Sequence, residues 1–169
     1  MHRYDLDFFT ATILEWKPLL TNDRYKDIII ESLSFLVADK RIYLCGFVIM
    51  RNHIHLLWHV IHPHQPADVQ WDFLRFTSQM MIKDMRTNNK ELLESFRVDA
   101  KDRKYQIWER NALMVPLRSE AVVKQKLNYI HENPVRKQLC VIASDYRYSS
   151  AAYYDTGIDN WGFITHFRD

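Results

Sequence analysis

An α+β fold with one antiparallel sheet covered by helices is the class the sequence predicts, on three observations. Stretches of apolar residues with the two-residue period of strands alternate with stretches of helical period. Two apolar runs are separated only by Arg51-Asn52, a spacing that suits a tight antiparallel hairpin. Glycine is scarce, at three residues, and aromatic content is high, at 14%, which favours long regular elements over Gly-rich loops.

The elements follow in order. Leu6 to Leu14, rich in Phe, Thr and Ile, predicts a first strand that Trp16-Lys17-Pro18 ends or bends. Asn22 or Asp23 can cap a helix from Arg24 to about Ala38, with Ile28, Ile29, Ser32, Leu33, Phe35 and Leu36 as its apolar stripe. Arg41 to Met50 predicts a second strand. Ile42, Leu44 and Val48 alternate there with Tyr43, Cys45, Phe47 and Ile49, so both faces read as buried and the strand as central.

The third strand follows the hairpin and carries His53 and His55 near its turn end. After the proline-punctuated loop His62-Pro63-His64-Gln65-Pro66, a helix from about Ala67 to Met85 or beyond shows Val69, Phe73, Phe76, Met80 and Met81 on one side and Arg75, Gln79, Lys83 and Arg86 on the other. Thr87 to Lys104 reads as a flexible connection with a short helix around Glu91 to Phe96. Tyr105–Trp108 and Ala112–Leu117 are candidates for the final strand. Ser119 caps a helix from Glu120 to about Glu132, ended by Asn133-Pro134, with Val123, Leu127 and Ile130 as its buried stripe. A Tyr-rich tail follows, with one short helix over Ser149–Tyr154. The order strand, helix, strand, strand, helix, strand, helix is a ferredoxin-like plan, and 169 residues with 47% hydrophobic content form a single domain, 1–169, with a short C-terminal tail.

Composition excludes several functions. The net charge of +2 neither announces nor excludes a nucleic-acid partner. Cys45 and Cys140 sit far apart without CxxC spacing, Cys45 reads as a buried free thiol in an apolar run, and a reducing, cytoplasmic setting fits. Met1 to Asp5 has no apolar signal region, no stretch approaches a membrane span, and no nucleotide-binding glycine fingerprint is present.

Chemistry concentrates at His53 and His55. Alternate side chains of a strand share a face, so these two imidazoles lie side by side while Ile54, Leu56, Trp58 and Val60 anchor the other face. Such a pair can hold a divalent metal if another element brings a further ligand. On the last helix, Gln125, Tyr129 and Asn133 recur every four residues, in a row distinct from the apolar stripe. If that helix lies over the histidines, Asn133 can give the metal an oxygen while Tyr129 aims its hydroxyl at a phosphodiester held there. A free tyrosine titrates near pH 10, so its attack at neutral pH needs a polarised phosphate or a nearby base. Magnesium or manganese suits a mixed imidazole and amide site with open positions. His59 shares the parity of the pair but lies further along the strand. His62 and His64 sit in the loop, where the five histidines from His53 to His64 could bind zinc or nickel adventitiously.

Phe47-Val48-Ile49-Met50-Arg51-Asn52-His53-Ile54-His55-Leu56-Leu57, with the later Tyr129-Ile130-His131-Glu132-Asn133-Pro134-Val135-Arg136, resembles the single-tyrosine HUH transposases, especially the REP-associated tyrosine transposases of the insertion sequence 200-like group. Trp108-Glu109-Arg110, Asp145-Tyr146 and Ser149-Ser150-Ala151 extend the resemblance over most of the chain. It implies the HUH endonuclease fold, His53, His55 and Asn133 as metal ligands with Glu132 the alternative third ligand, and Tyr129 as nucleophile. The implied activity is metal-dependent cleavage and rejoining of hairpin-bearing or palindromic single-stranded DNA through a 5′-phosphotyrosine, without a membrane partner. A homodimer sharing the Tyr129 helix and a single chain keeping it would use the same residues. Arg51 stands where many relatives carry proline, and it could add a phosphate contact. Arg75, Lys83, Lys126 and Arg136 are the other candidate DNA contacts, with Trp71 available to stack on bases. Three alternatives stand beside this reading: a non-catalytic hairpin-binding protein, a metal-binding protein using the histidine cluster, and an HUH nuclease of plasmid replication or conjugation.

Overall fold

A computed structural model describes residues 5–169, so most of the segment Met1–Asp5 lies outside the described residues. The strands are β1 (Leu6–Thr12), β2 (Ile42–Ile49), β3 (His53–Val60) and β4 (Leu113–Leu117); the helices are α1 (Asp23–Ala38), α2 (Pro66–Asn88), α3 (Lys90–Glu94), α4 (Glu120–Arg136) and α5 (Ala151–Thr156). The strands form one sheet in the order β2-β3-β1-β4, with every neighbouring pair antiparallel. This is the ferredoxin-like plan that the order of elements predicts.

The sheet separates two cores. On one face, Phe9, Ile54, Leu56 and Trp58 pack with Ile29 and Leu33 of α1 and with Val69, Phe73, Met81 and Met85 of α2. On the other, Leu6, Phe8, Cys45, Val48 and Leu57 pack with Val123, Leu127 and Ile130 of α4. The strand parity of β3 therefore holds: its even-numbered residues face α1 and α2, and His53, His55 and Leu57 face the side that carries α4. Phe35 and Phe76, placed in the apolar stripes from periodicity, are instead exposed, while Tyr25 and Thr77 take inner positions. The hydroxyl of Thr77 is satisfied there, donating to the Phe73 carbonyl and accepting from Trp108 Nε1.

Several boundaries differ from the sequence expectation. β1 ends at Thr12, and Ile13 then makes only an isolated bridge to Trp108. Tyr105–Trp108 contributes bridges and no strand, leaving β4 to Leu113–Leu117 alone. The connection after α2 is anchored by the fully buried Phe96 rather than swinging free. α4 runs to Arg136 and carries Pro134 within its last turn, where the missing N–H costs the bond to one carbonyl and the ring is buried.

The largest departure concerns β2, which is an edge strand and not a central one. Both faces are nonetheless covered, by α1 on one side and α4 on the other, and the C-terminal segment lies along its open edge. Ile49 N donates to the Tyr148 carbonyl, Ser150 N to the Phe47 carbonyl and Thr165 N to the Leu44 carbonyl. A register shift between Leu44 and Gly46 also exchanges the faces of the residues that follow, so Val48 joins Cys45 under α4 while Phe47 joins Leu44 on the opposite side. α4 comes so close at this bulge that a β-carbon on Gly46 would lie 2.7 Å from Leu127 Cδ1. Among the described residues, no helix is long and apolar enough to cross a membrane.

Candidate active site

β1 and β3 set the histidines. Their register pairs Thr10 with His55 and Thr12 with His53, at the end of the sheet where the β2–β3 hairpin turns. The two imidazole rings lie 4.9 Å apart between centroids. Thr10 Oγ1 lies 2.8 Å from His55 Nδ1, and Asn52 Oδ1 lies 2.8 Å from His53 Nδ1. Asn52 also donates through Nδ2 to the Trp16 carbonyl at 3.3 Å, which turns its oxygen toward His53. His53 must then carry its proton on Nδ1 and present a lone pair at Nε2. Hydrogen-bonded support of this kind is what orients imidazoles that serve as metal ligands.

Electrostatics agree. Burial, with Lys137 nearby, lowers the pKa of His53 from 6.5 to about 4. Burial, then His53, Lys126 and Arg136, lowers that of His55 to about 3. Both rings are therefore neutral at pH 7, the form that binds a cation. His55 Nε2 is buried and has no hydrogen-bond partner, and such a polar atom costs stability unless something occupies its lone pair. A divalent cation fits that requirement.

α4 supplies the rest. Asn133 is 4% exposed, and its Nδ2 lies 3.4 Å from His53 Nε2, so half a turn of the amide brings its oxygen to the same place. One helical turn earlier, the Tyr129 ring lies 5.3 Å from the His55 ring and is 43% exposed. The four residues brought together are thus His53, His55, Asn133 and Tyr129. Glu132, on the neighbouring position of α4, does not join them: no three His, Cys, Asp or Glu side chains converge among the described residues.

Two cations border the tyrosine. The Arg136 guanidinium lies 4.6 Å from the Tyr129 ring centroid and donates to the Tyr129 carbonyl at 2.9 Å. Lys126 Nζ lies 4.8 Å from the Phe8 centroid and 5.8 Å from that of Tyr129. Phe8 itself stacks on His55 at 5.3 Å. Arg51 is exposed in the hairpin turn beside Asn52. Arg75 and Lys83 lie on exposed positions of α2, across the sheet from the histidines, with Arg75 over the ring of Trp71. His59 instead stacks on Tyr43 and bonds the Asp5 carbonyl, and His62 and His64 are exposed in the loop.

Periodicity did not reveal Thr10, Phe8 or Trp16 as parts of this site, since pairing between distant segments places them there. Asn52 was open to view beside His53.

The ferredoxin-like sheet thus carries its paired histidines under the tyrosine-bearing helix α4. No protein-family model matches the chain, and neither does any curated protein. Among solved structures, the chain is similar to a REP-associated tyrosine transposase bound to a REP hairpin, with a TM-score of 0.68 and 14% identity over 98% of this chain and 88% of that one. A candidate transposase from Deinococcus radiodurans R1 aligns over 76% of this chain and 88% of its own, at 18% identity and a TM-score of 0.49.

Proposed function

We propose that this chain is a tyrosine transposase that cleaves and rejoins hairpin-bearing single-stranded DNA. The observation that carries the reading is the placement of Tyr129 one helical turn from Asn133 and against the His53–His55 pair. The hairpin bound to the REP-associated tyrosine transposase supports a hairpin ligand for this chain too.

His53 and His55, through Nε2, and Asn133, through its amide oxygen, would hold magnesium or manganese. Such a cation would supply positive charge that offsets the charge of the scissile phosphate. Tyr129 Oη attacks phosphorus, forming the Tyr–O–P bond as the P–O3′ bond breaks. The phenol loses its proton and the departing 3′ oxygen gains one, leaving a 5′-phosphotyrosine. Lys126 and Arg136, which border the Tyr129 ring, would bind the non-bridging oxygens of the phosphate that Tyr129 attacks. The phosphotyrosine conserves the phosphodiester's energy, so a 3′ hydroxyl can reverse the step without ATP.

The test uses hairpin oligonucleotides with a randomised single-stranded flank, incubated with magnesium or manganese and resolved on denaturing gels. Wild type should form a covalent adduct, and Tyr129→Phe should form none while binding the hairpin within about twofold of wild type, because the phenol oxygen is the only group removed. An adduct that persists in Tyr129→Phe would overturn the assignment. Hairpin binding by wild type with no adduct would instead favour a binding protein that does no chemistry.

A further inference from the structure

Trp16 stands at the far end of the histidine row with 63% of its surface exposed, more than any other tryptophan of the chain. Its ring meets that of His53 edge-on at 6.2 Å. Glu15 and Trp16 both have left-handed backbone, with φ of 54° and 57°, a conformation that residues with a β-carbon adopt only when their surroundings impose it. The surroundings do so on three sides. Glu15 N donates to Glu109 Oε1 at 2.6 Å, Asn52 Nδ2 donates to the Trp16 carbonyl, and Lys17 Nζ donates to the Ser95 carbonyl at 2.7 Å. A large apolar ring is thus held out at the surface by a strained backbone, beside a metal-ligating candidate, and among the described residues it joins neither apolar core.

Position along the sheet gives the ring a role. Tyr129 touches Phe8 and His55, whereas Trp16 lies beyond Thr12 and His53 at the opposite end of the row. In phosphoryl transfer the attacking and leaving oxygens lie roughly in line through phosphorus. With Tyr129 attacking from the His55 side, the leaving 3′ oxygen points toward Trp16. Accepting the active-site reading above, we propose that Trp16 stacks on the unpaired base immediately 5′ of the scissile phosphate, on the nucleotide that keeps the 3′ hydroxyl. It acts as a positioning platform: it holds that end against the site for rejoining and tolerates any base, since every base has a π-face.

The test sequences the adducts of the randomised hairpin pool to locate the cut, then compares Trp16→Ala, Trp16→Phe and wild type on one cleaved oligonucleotide, with an abasic residue placed at each flanking position in turn. Trp16→Ala should raise KM for adduct formation about five- to a hundred-fold, leave the rate at saturating DNA within about twofold, and melt like wild type; Trp16→Phe should recover most of the loss. An abasic residue just 5′ of the cut should weaken wild type and have no added effect in Trp16→Ala, whereas abasic residues elsewhere should affect both proteins equally. An unchanged KM in Trp16→Ala, equal abasic sensitivity in both proteins, or a lowered melting temperature shared by both variants overturns the proposal while Tyr129 chemistry stands. A wild-type protein that forms no adduct overturns the active-site reading, and the Trp16 role with it.

Discussion

Thr10 shows how much of the site depends on residues that do no chemistry. Its hydroxyl holds His55 Nδ1 from the neighbouring strand, so Thr10→Val keeps the shape and removes the support. Manganese affinity should fall about 10- to 100-fold by titration calorimetry, in line with the loss of other hydrogen-bonded supports behind metal ligands. Unchanged affinity would show that packing alone orients the ring. The cations near Tyr129 make a separate prediction. For a short unpaired strand, Lys126→Ala and Arg136→Ala should each reduce the slope of log K against log salt by about 0.7, whereas Arg75→Ala and Lys83→Ala, across the sheet, should leave it unchanged. His53, His55, Tyr129 and Asn133 were legible in the sequence because two strict periodicities, two residues in a strand and four along a helix face, put them in rows. Thr10 was not, because its partnership with His55 spans 45 residues and exists only through the β1–β3 register.

At the scale of elements, α4 is the part that on the proposed reading would join metal binding to chemistry, since it carries both Tyr129 and Asn133. It docks through Val123, Leu127 and Ile130, with Leu127 against the Gly46 bulge. Leu127→Ala should destabilise the fold by about 2–4 kcal/mol and slow adduct formation in single-turnover measurements at a temperature where the variant is still folded, because the cavity lies under the turn that leads into Tyr129. A rate equal to wild type would mean that α4 holds its place without this contact. The start of α4 was readable from Ser119, whose side chain accepts from Val122 N. Its end was not: Asn133-Pro134 reads as a stop, yet tertiary burial of Asn133 and Pro134 carries the helix a further turn. β2 misled for a related reason. A run buried on both faces usually marks a central strand, and nothing local in β2 shows that residues 148–165 will cover its open edge.

For the whole molecule, buried neutral histidines make folding sensitive to acid. Chiefly through burial, His53, His55 and His131 are lowered from 6.5 to about 4, about 3 and about 4. The unfolded chain binds protons on these rings at a pH where the fold does not, so their stability is fully present above about pH 6.5 and is lost as pH falls toward 4. In chelator, the melting temperature should hold from pH 8 to 7 and decline steadily below 6.5, and a flat profile down to pH 4 would contradict the burial of these rings. The order of elements gave away this architecture, and the pairing of strands, which no single segment encodes, decided which faces meet. One outcome of that architecture reaches beyond the single molecule. His53, His55, Asn133 and Tyr129 meet within one chain, so on the proposed chemistry each copy would carry a whole site of its own. In mixtures of wild type with Tyr129→Phe at fixed total protein and saturating hairpin, adduct yield should follow the wild-type fraction in a straight line, and a curve falling below that line would show that copies share a site.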